Sequence, residues 1–318
     1  MNKSYPLYFH IGYPKTATSF LQDEIFPQFK SIHFIPLSEL KDPLLKITSQ
    51  DEFNFDYKKI REDIISKLDP DKPNLISFEG LCGEIIFKHT NQKQIADRLH
   101  KLFPESHIII IIRNQYDLIK SLYRQSIHLG GTKKFTEFIN FQYGKIKPSY
   151  ITIDGRVNLE MFKFLPLIDY YNELFNPSNV HIILFEIIKV DGIKKFVEKF
   201  ISILRTNDQI KTPNKLTNEG YQLRQIQIAR FLNKIFKKNK LIENGLIPDI
   251  PIPKIGRLNT SLIRKILQSK LSFKLLGHKP IDNPQIKLII KEYFKENNLS
   301  LDKKYNLSLS KLYQEFYF

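Results

Sequence analysis

From His10 to Phe20 the chain reads His-Ile-Gly-Tyr-Pro-Lys-Thr-Ala-Thr-Ser-Phe, which crowds the ammonium of Lys15 and the hydroxyls of Thr16, Thr18 and Ser19 into one short stretch. The apolar run Leu7 to Ile11 before it reads as a buried strand, Gly12 as a turn, and Thr16 to Phe26 as a helix. A helix that opens directly after a strand presents unpaired N–H groups and the positive end of its dipole. Lys15, Thr16, Thr18 and Ser19 add charge and donors, so the place suits phosphate or sulfate oxygens. The nucleotide loop G-x-x-x-x-G-K-[ST] is excluded, because Lys15 follows Gly12 by three residues with no second glycine before it. The pattern G-x-G-x-x-G is absent too. A helix start with ordinary hydroxyl caps is the bland alternative.

A second cationic position follows His107 to Ile112, where five isoleucines run in sequence. Such a β-branched run reads as a central strand covered on both faces. Arg113 stands just past its carboxyl end, the edge where ligands gather in open α/β sheets. Ser121 lies eight residues on, a little over one turn into the next helix, and the two could grip one phosphate. Alone, Arg113 reads as a surface ion pair. A third candidate, Glu79, follows the strand candidate Asn74 to Phe78 and could reach the same edge as a general base. Its bland reading is a structural ion pair. His10, His89 and His128 are weaker base candidates, and Glu84 and Glu186 read as structural contacts.

Helices must connect these strands. The spacing predicts them over Asn91–Phe103, Asp117–His128, Phe135–Phe141, Met161–Phe175 and Lys194–Leu204, with a late strand at Val180–Phe185. That alternation gives an α/β fold with a parallel sheet. Residues 31–70 read as an insertion with one helix near Tyr57–Lys67, and 144–158 as a loop. Pro213 to Gly220 is a polar break. Beyond it come a basic helix over Tyr221–Lys238, a proline-containing linker at 246–256 and two or three more helices. The expected division is an α/β core at 1–212 and a helical part at 213–318 packed on the same domain.

The two loops together resemble the PAPS-dependent sulfotransferase family, where PAPS is 3′-phosphoadenylyl sulfate. The first loop is similar to that family's P-K-[ST]-G-[ST]-[ST], here Pro14 to Ser19, followed by Leu21-Gln22. Ala17 stands where glycine is usual and fits if the backbone is helical there. The second is similar to R-[ND]-P-x-x-x-x-x-S, matched by Arg113 and Ser121 with Gln115 in place of proline. Weaker likenesses to bacterial carbohydrate sulfotransferases run through Tyr123–Ser126, Gly130–Thr132, Val180–Glu186, and Asn297-Asn298 with Tyr305–Ser308. The resemblance implies a P-loop-like three-layer sandwich with a central parallel sheet and a helical C-terminal extension. It implies PAPS as co-substrate, PAP (adenosine 3′,5′-bisphosphate) as product, and no metal. Lys15, Thr16, Ala17, Thr18, Ser19 and Phe20 would hold the 5′ end, Arg113 and Ser121 the 3′-phosphate, with Lys15 and Glu79 catalytic. An element closing over the nucleotide would fall at Lys211 to Tyr221. The acceptor would be a hydroxyl or amine, most simply on a glycan.

The formal net charge of +16 over 318 residues favours anionic partners without choosing one. Nucleic-acid binding through Arg224–Lys240, where Phe231 and Ile235 could also be core, and phosphotransfer by another P-loop enzyme are the rival readings. The lone Cys82 excludes an internal disulfide framework and reads as a buried structural residue. No secretory pattern and no run of about 20 apolar residues occurs. The expected location is cytoplasmic, with room for contact at a membrane surface and no nucleic acid as partner.

Overall fold

In the computed structural model, which describes residues 6–83, 91–147, 155–214, 222–237, 247–248, 251–255, 258–261 and 281–318, β1 (Leu7–His10) is buried at every position. It is followed by a short helix α1 (Thr18–Phe20), β2 (His33–Ile35), α2 (Leu37–Ser49), α3 (Tyr57–Ile65) and β3 (Asn74–Ser77). Next come α4 (Gln92–Leu102), β4 (His107–Ile112) and α5 (Gln115–His128), with β5 at Val180–Leu184. The five strands form one parallel sheet in the order β2-β3-β1-β4-β5. Ile108 to Ile112 are fully buried. Each isoleucine so placed contributes roughly 1.5–3 kcal/mol, which anchors the strand end that carries Arg113.

By contacts the chain divides into two units. The first (1–118, 161–216, 294–318) holds the whole sheet. Side chains alternate across β1. His10 meets Phe26 and Phe200 on one face, while Phe9 meets Phe103 on the other. Helices therefore cover both faces: Gly192–Ile203 beside Phe26 on one, α4 and Phe164–Leu174 on the other. This is an α/β fold with a central parallel sheet and a helical C-terminal region in Pro284–Tyr305 and Gln314–Tyr317.

The second unit (119–160, 217–293) contains most of α5 and the helix Leu223–Ile235. Asn233 joins them by donating to the carbonyls of Ile127 and Gly131, both at 2.8 Å. On that helix Ile226 and Ala229 are buried, whereas Phe231 is exposed and so is not a core position. Pro251–Ile255 pairs antiparallel with Leu258–Ser261, so part of the expected linker is strand. Residues 84–90, 148–154 and 215–221 lie outside the described residues, and with them Glu84, His89 and most of the element expected at Lys211 to Tyr221. Among the described residues no helix is long and apolar enough to cross a membrane.

The region 31–70 is more regular than its sequence predicts. It supplies the edge strand β2 and two helices rather than one. β2 has three residues, too few for a periodic signal. α2 carries Pro43 in its interior, which breaks the pattern of a helix former without ending the helix, because Leu40, Leu44 and Ile47 are buried on one face.

Candidate functional site

Backbone hydrogen bonds carry the sheet past the ends of its strands. Ile11 N donates to Ile109 O (3.0 Å) and Tyr13 N to Ile111 O (3.2 Å). Phe78 N donates to His10 O (3.1 Å) and Phe185 N to Ile112 O (2.9 Å). These bonds bring the Gly12 loop, Glu79 and Arg113 to the carboxyl edge of the sheet. Neighbours β3 and β4 lie on opposite sides of β1, so the edge is crossed there by a topological switch point.

Gly12 has no room for a side chain. A Cβ there would sit 2.8 Å from His10 Nε2, 3.2 Å from Thr16 Oγ1 and 3.3 Å from Ile111. The loop then takes an unusual path. Lys15 (φ 68°) and Ala17 (φ 67°) are both left-handed, and Thr16 between them is not. Such alternation belongs to nests that turn backbone N–H groups toward an anion. Ala17 is therefore not helical, contrary to the condition on which alanine was expected to fit. The α-helix begins only at Thr18, and a π-helical turn at Leu21–Ile25 continues it. A left-handed alanine costs about 1–2 kcal/mol, partly offset by its smaller unfolded entropy relative to glycine. Ala17→Gly is expected to raise unfolding stability by about 0.5–1 kcal/mol, read from the urea midpoint; an unchanged or lower midpoint contradicts the strain.

Thr16 is buried and its hydroxyl donates to the Tyr13 carbonyl. Thr18 is buried with a hydroxyl that has no hydrogen-bond partner among the described residues, Ser19 is exposed and Phe20 is buried. A buried hydroxyl without a partner, next in sequence to that left-handed alternation, fits a bound phosphate or sulfate oxygen. Beneath the loop, His10 Nδ1 meets Ser77 Oγ at 2.7 Å, and Gln22 Nε2 donates to Ser77 O (2.8 Å) and Ser77 Oγ (3.1 Å). Burial drives His10 down to about 3, so it is a neutral structural imidazole and a poor choice for the base.

Arg113 joins the two loops. Its Nη1 donates to the Lys15 carbonyl at 2.8 Å, and its guanidinium stacks over Phe185 at 4.5 Å. Behind it, fully buried Glu186 accepts from Asn114 N (3.0 Å), Asn114 Nδ2 (2.8 Å) and Tyr317 OH (2.7 Å). Glu186 is thus a structural contact, as its sequence position suggested. Asn114 caps α5 by accepting from Asp117 N at 3.0 Å. Ser121 lies on α5 beyond the boundary of the first unit, so its assignment beside Arg113 rests on the eight-residue spacing.

Glu79 opens the short 3-10 turn Glu79–Cys82 at the end of β3. Desolvation pushes its carboxyl above the usual range although the residue keeps an exposed face, and the charge of Lys15 pulls it back. That coupling puts the two predicted catalytic residues in one electrostatic neighbourhood. Cys82 is fully buried and burial pushes its thiol far up, which fits a structural residue. Clefts lined by Glu52, Tyr57 and Arg98, and by Phe29, His33 and Lys72, contain none of Lys15, Glu79 or Arg113.

No protein-family model and no curated protein matches the chain. Among solved structures, a sulfotransferase from Alicyclobacillus acidocaldarius superposes with a TM-score of 0.48 at 16% identity, covering 68% of this chain and 87% of its own. The sulfotransferase domain from the curacin biosynthetic pathway superposes with a TM-score of 0.35 at 11% identity, covering 92% of this chain and 98% of its own. Superpositions this loose decide neither activity nor ligand.

Sequence reasoning placed the two loops but missed what fixes them. Glu186 was read only as a structural contact, Gln22 only as part of the first loop's likeness and Asn298 only as part of a weak one, and Tyr317 was not singled out. Their partners lie tens to hundreds of residues away, and no local pattern announces such pairs.

Proposed function

We propose that the protein transfers a sulfuryl group from PAPS to a hydroxyl or amine, most simply on a carbohydrate, and releases PAP. The observation that carries this reading is the hydrogen bond from Arg113 to the Lys15 carbonyl. It ties a strained, donor-rich loop to a second cationic strand end at the switch point of the sheet. Two anion sites so joined suit one ligand with two separated phosphates.

PAPS supplies an activated sulfuryl group whose bond to the 5′-phosphate oxygen breaks as the acceptor oxygen or nitrogen bonds to sulfur. The residues have the remaining work. The 15–18 backbone and the Thr18 hydroxyl hold the 5′ end. Lys15 neutralises charge as the electron pair leaves on the phosphate. Glu79 takes the acceptor proton, and Arg113 with Ser121 fixes the 3′-phosphate. There is little covalent work here, so positioning carries much of the rate. The +16 charge suits an anionic glycan acceptor.

The test is release of PAP from PAPS across a panel of hydroxyl- and amine-bearing glycans. Glu79→Gln is expected to lower turnover by about 10²–10⁴-fold, with PAP affinity within about twofold of the parent. The wild-type rate should fall as pH drops through the raised Glu79 range, because the protonated carboxyl cannot accept the acceptor proton. A Glu79→Gln chain that turns over like the wild type removes Glu79 as base.

A further inference from the structure

The turn that carries Arg113 is held from the far end of the chain. Gln115 and Asn298, both buried, form a reciprocal amide pair. Gln115 Nε2 donates to Asn298 Oδ1 at 2.8 Å, and Asn298 Nδ2 donates to Gln115 Oε1 at 3.1 Å. The spare hydrogens reach the Phe162 carbonyl from Gln115 (3.3 Å) and the Tyr317 carbonyl from Asn298 (3.4 Å). Tyr317, also buried, gives its hydroxyl to Glu186, which holds both nitrogens of Asn114. Arg113, Asn114 and Gln115 are consecutive. Asn114 and Gln115 are each gripped, directly or through Glu186, by residues from 298 to 317.

Burying two amides is unfavourable unless every donor and acceptor is paired, and this arrangement pairs them all. A pair of apolar side chains would fill the same space with no such demand. What the amides add is a fixed orientation for the turn. Gln115 is the first residue of α5, a position where proline is at home because its missing N–H has no intrahelical partner. A proline would fix that turn locally. This chain fixes it through a partner 183 residues away.

We propose that the Gln115–Asn298 amide pair, backed by the Glu186–Tyr317 hydrogen bond, positions Arg113 for an anionic ligand, so that the C-terminal segment is a working part of the nucleotide site. The ligand named here rests on the proposed function; the clamp itself does not. Gln115, Asn298 and Tyr317 are positioning residues, since none is argued to touch the nucleotide.

The experiment is a cycle of Asn298→Ala, Gln115→Pro and the double variant, titrated with PAP by calorimetry. Asn298→Ala is expected to weaken PAP about tenfold, because it strands the buried Gln115 amide. Adding Gln115→Pro should bring affinity back to within about threefold of wild type, since it removes the stranded amide and fixes the turn locally. Asn298→Ala binding PAP like the wild type, or a double variant no better than Asn298→Ala, overturns the proposal. Should Asn298→Ala not fold, Tyr317→Phe deletes a single hydroxyl and is expected to weaken PAP about threefold or more; unchanged affinity overturns the proposal. Should wild type bind no PAP, the proposed function fails and the clamp is judged by hydrogen exchange at the Asp117 and Leu118 amides. Faster exchange in Asn298→Ala, slowed again by Gln115→Pro, supports it, and unchanged exchange overturns it.

Discussion

Lys15→Met lowers the rate of sulfuryl transfer by about 10²–10³-fold while the protein still binds PAP, the range expected when one aimed cationic donor is lost. Lys15 is held with φ 68°, an unfavourable backbone for a side chain of its size. Strain of this kind persists only where surrounding structure enforces it, here the Arg113 bond to its carbonyl. The benefit falls on the leaving phosphate oxygen, whose charge grows only as the reaction proceeds. Turnover should therefore suffer far more than ground-state affinity. Single-turnover kinetics with PAPS and an accepted glycan separate the two. A loss confined to KM, with kcat intact, removes Lys15 from the transition state.

Arg113→Ala weakens PAP by about 100-fold or more, because charge-assisted hydrogen bonds contribute roughly 1.5–3 kcal/mol each and a guanidinium fork makes two to one phosphate. The same substitution releases the Lys15 carbonyl, so the first loop loses a tether as well. Arg113→Lys keeps the charge without the fork and should fall between the two. Calorimetry against PAP reads all three proteins, with urea unfolding alongside to show that each is folded. Affinity within about threefold of wild type in Arg113→Ala contradicts the assignment.

The parts of this fold that announce themselves are those where one local pattern has one physical meaning. Ile108 to Ile112 could only be a strand covered on both faces, and it is. Leu7–His10 followed by Gly12 marked the loop, and its clash with His10 and Ile111 shows why glycine is needed there. β2 and α2 were invisible, because three residues make no period and Pro43 reads as a helix breaker. The left-handed backbone at Ala17 was invisible too, since the residue type argues against it. At the site, Lys15, Glu79 and Arg113 were legible as charged residues just past strand ends. Glu186 was legible as a structural contact, but the partners of Gln115, Asn298 and Tyr317 were not, because a buried amide pair depends on which distant segments fold together.

The most direct measurement is a calorimetric titration of wild-type protein, without magnesium, with PAP and separately with adenosine 5′-monophosphate, which lacks the 3′-phosphate. The account predicts one-to-one binding of PAP and binding of the monophosphate weaker by about 30-fold or more, the loss of one fork-held phosphate. A folded protein that ignores PAP, or binds both nucleotides equally, contradicts it; salt-sensitive binding of nucleic acid in its place would assign the +16 charge to a different partner.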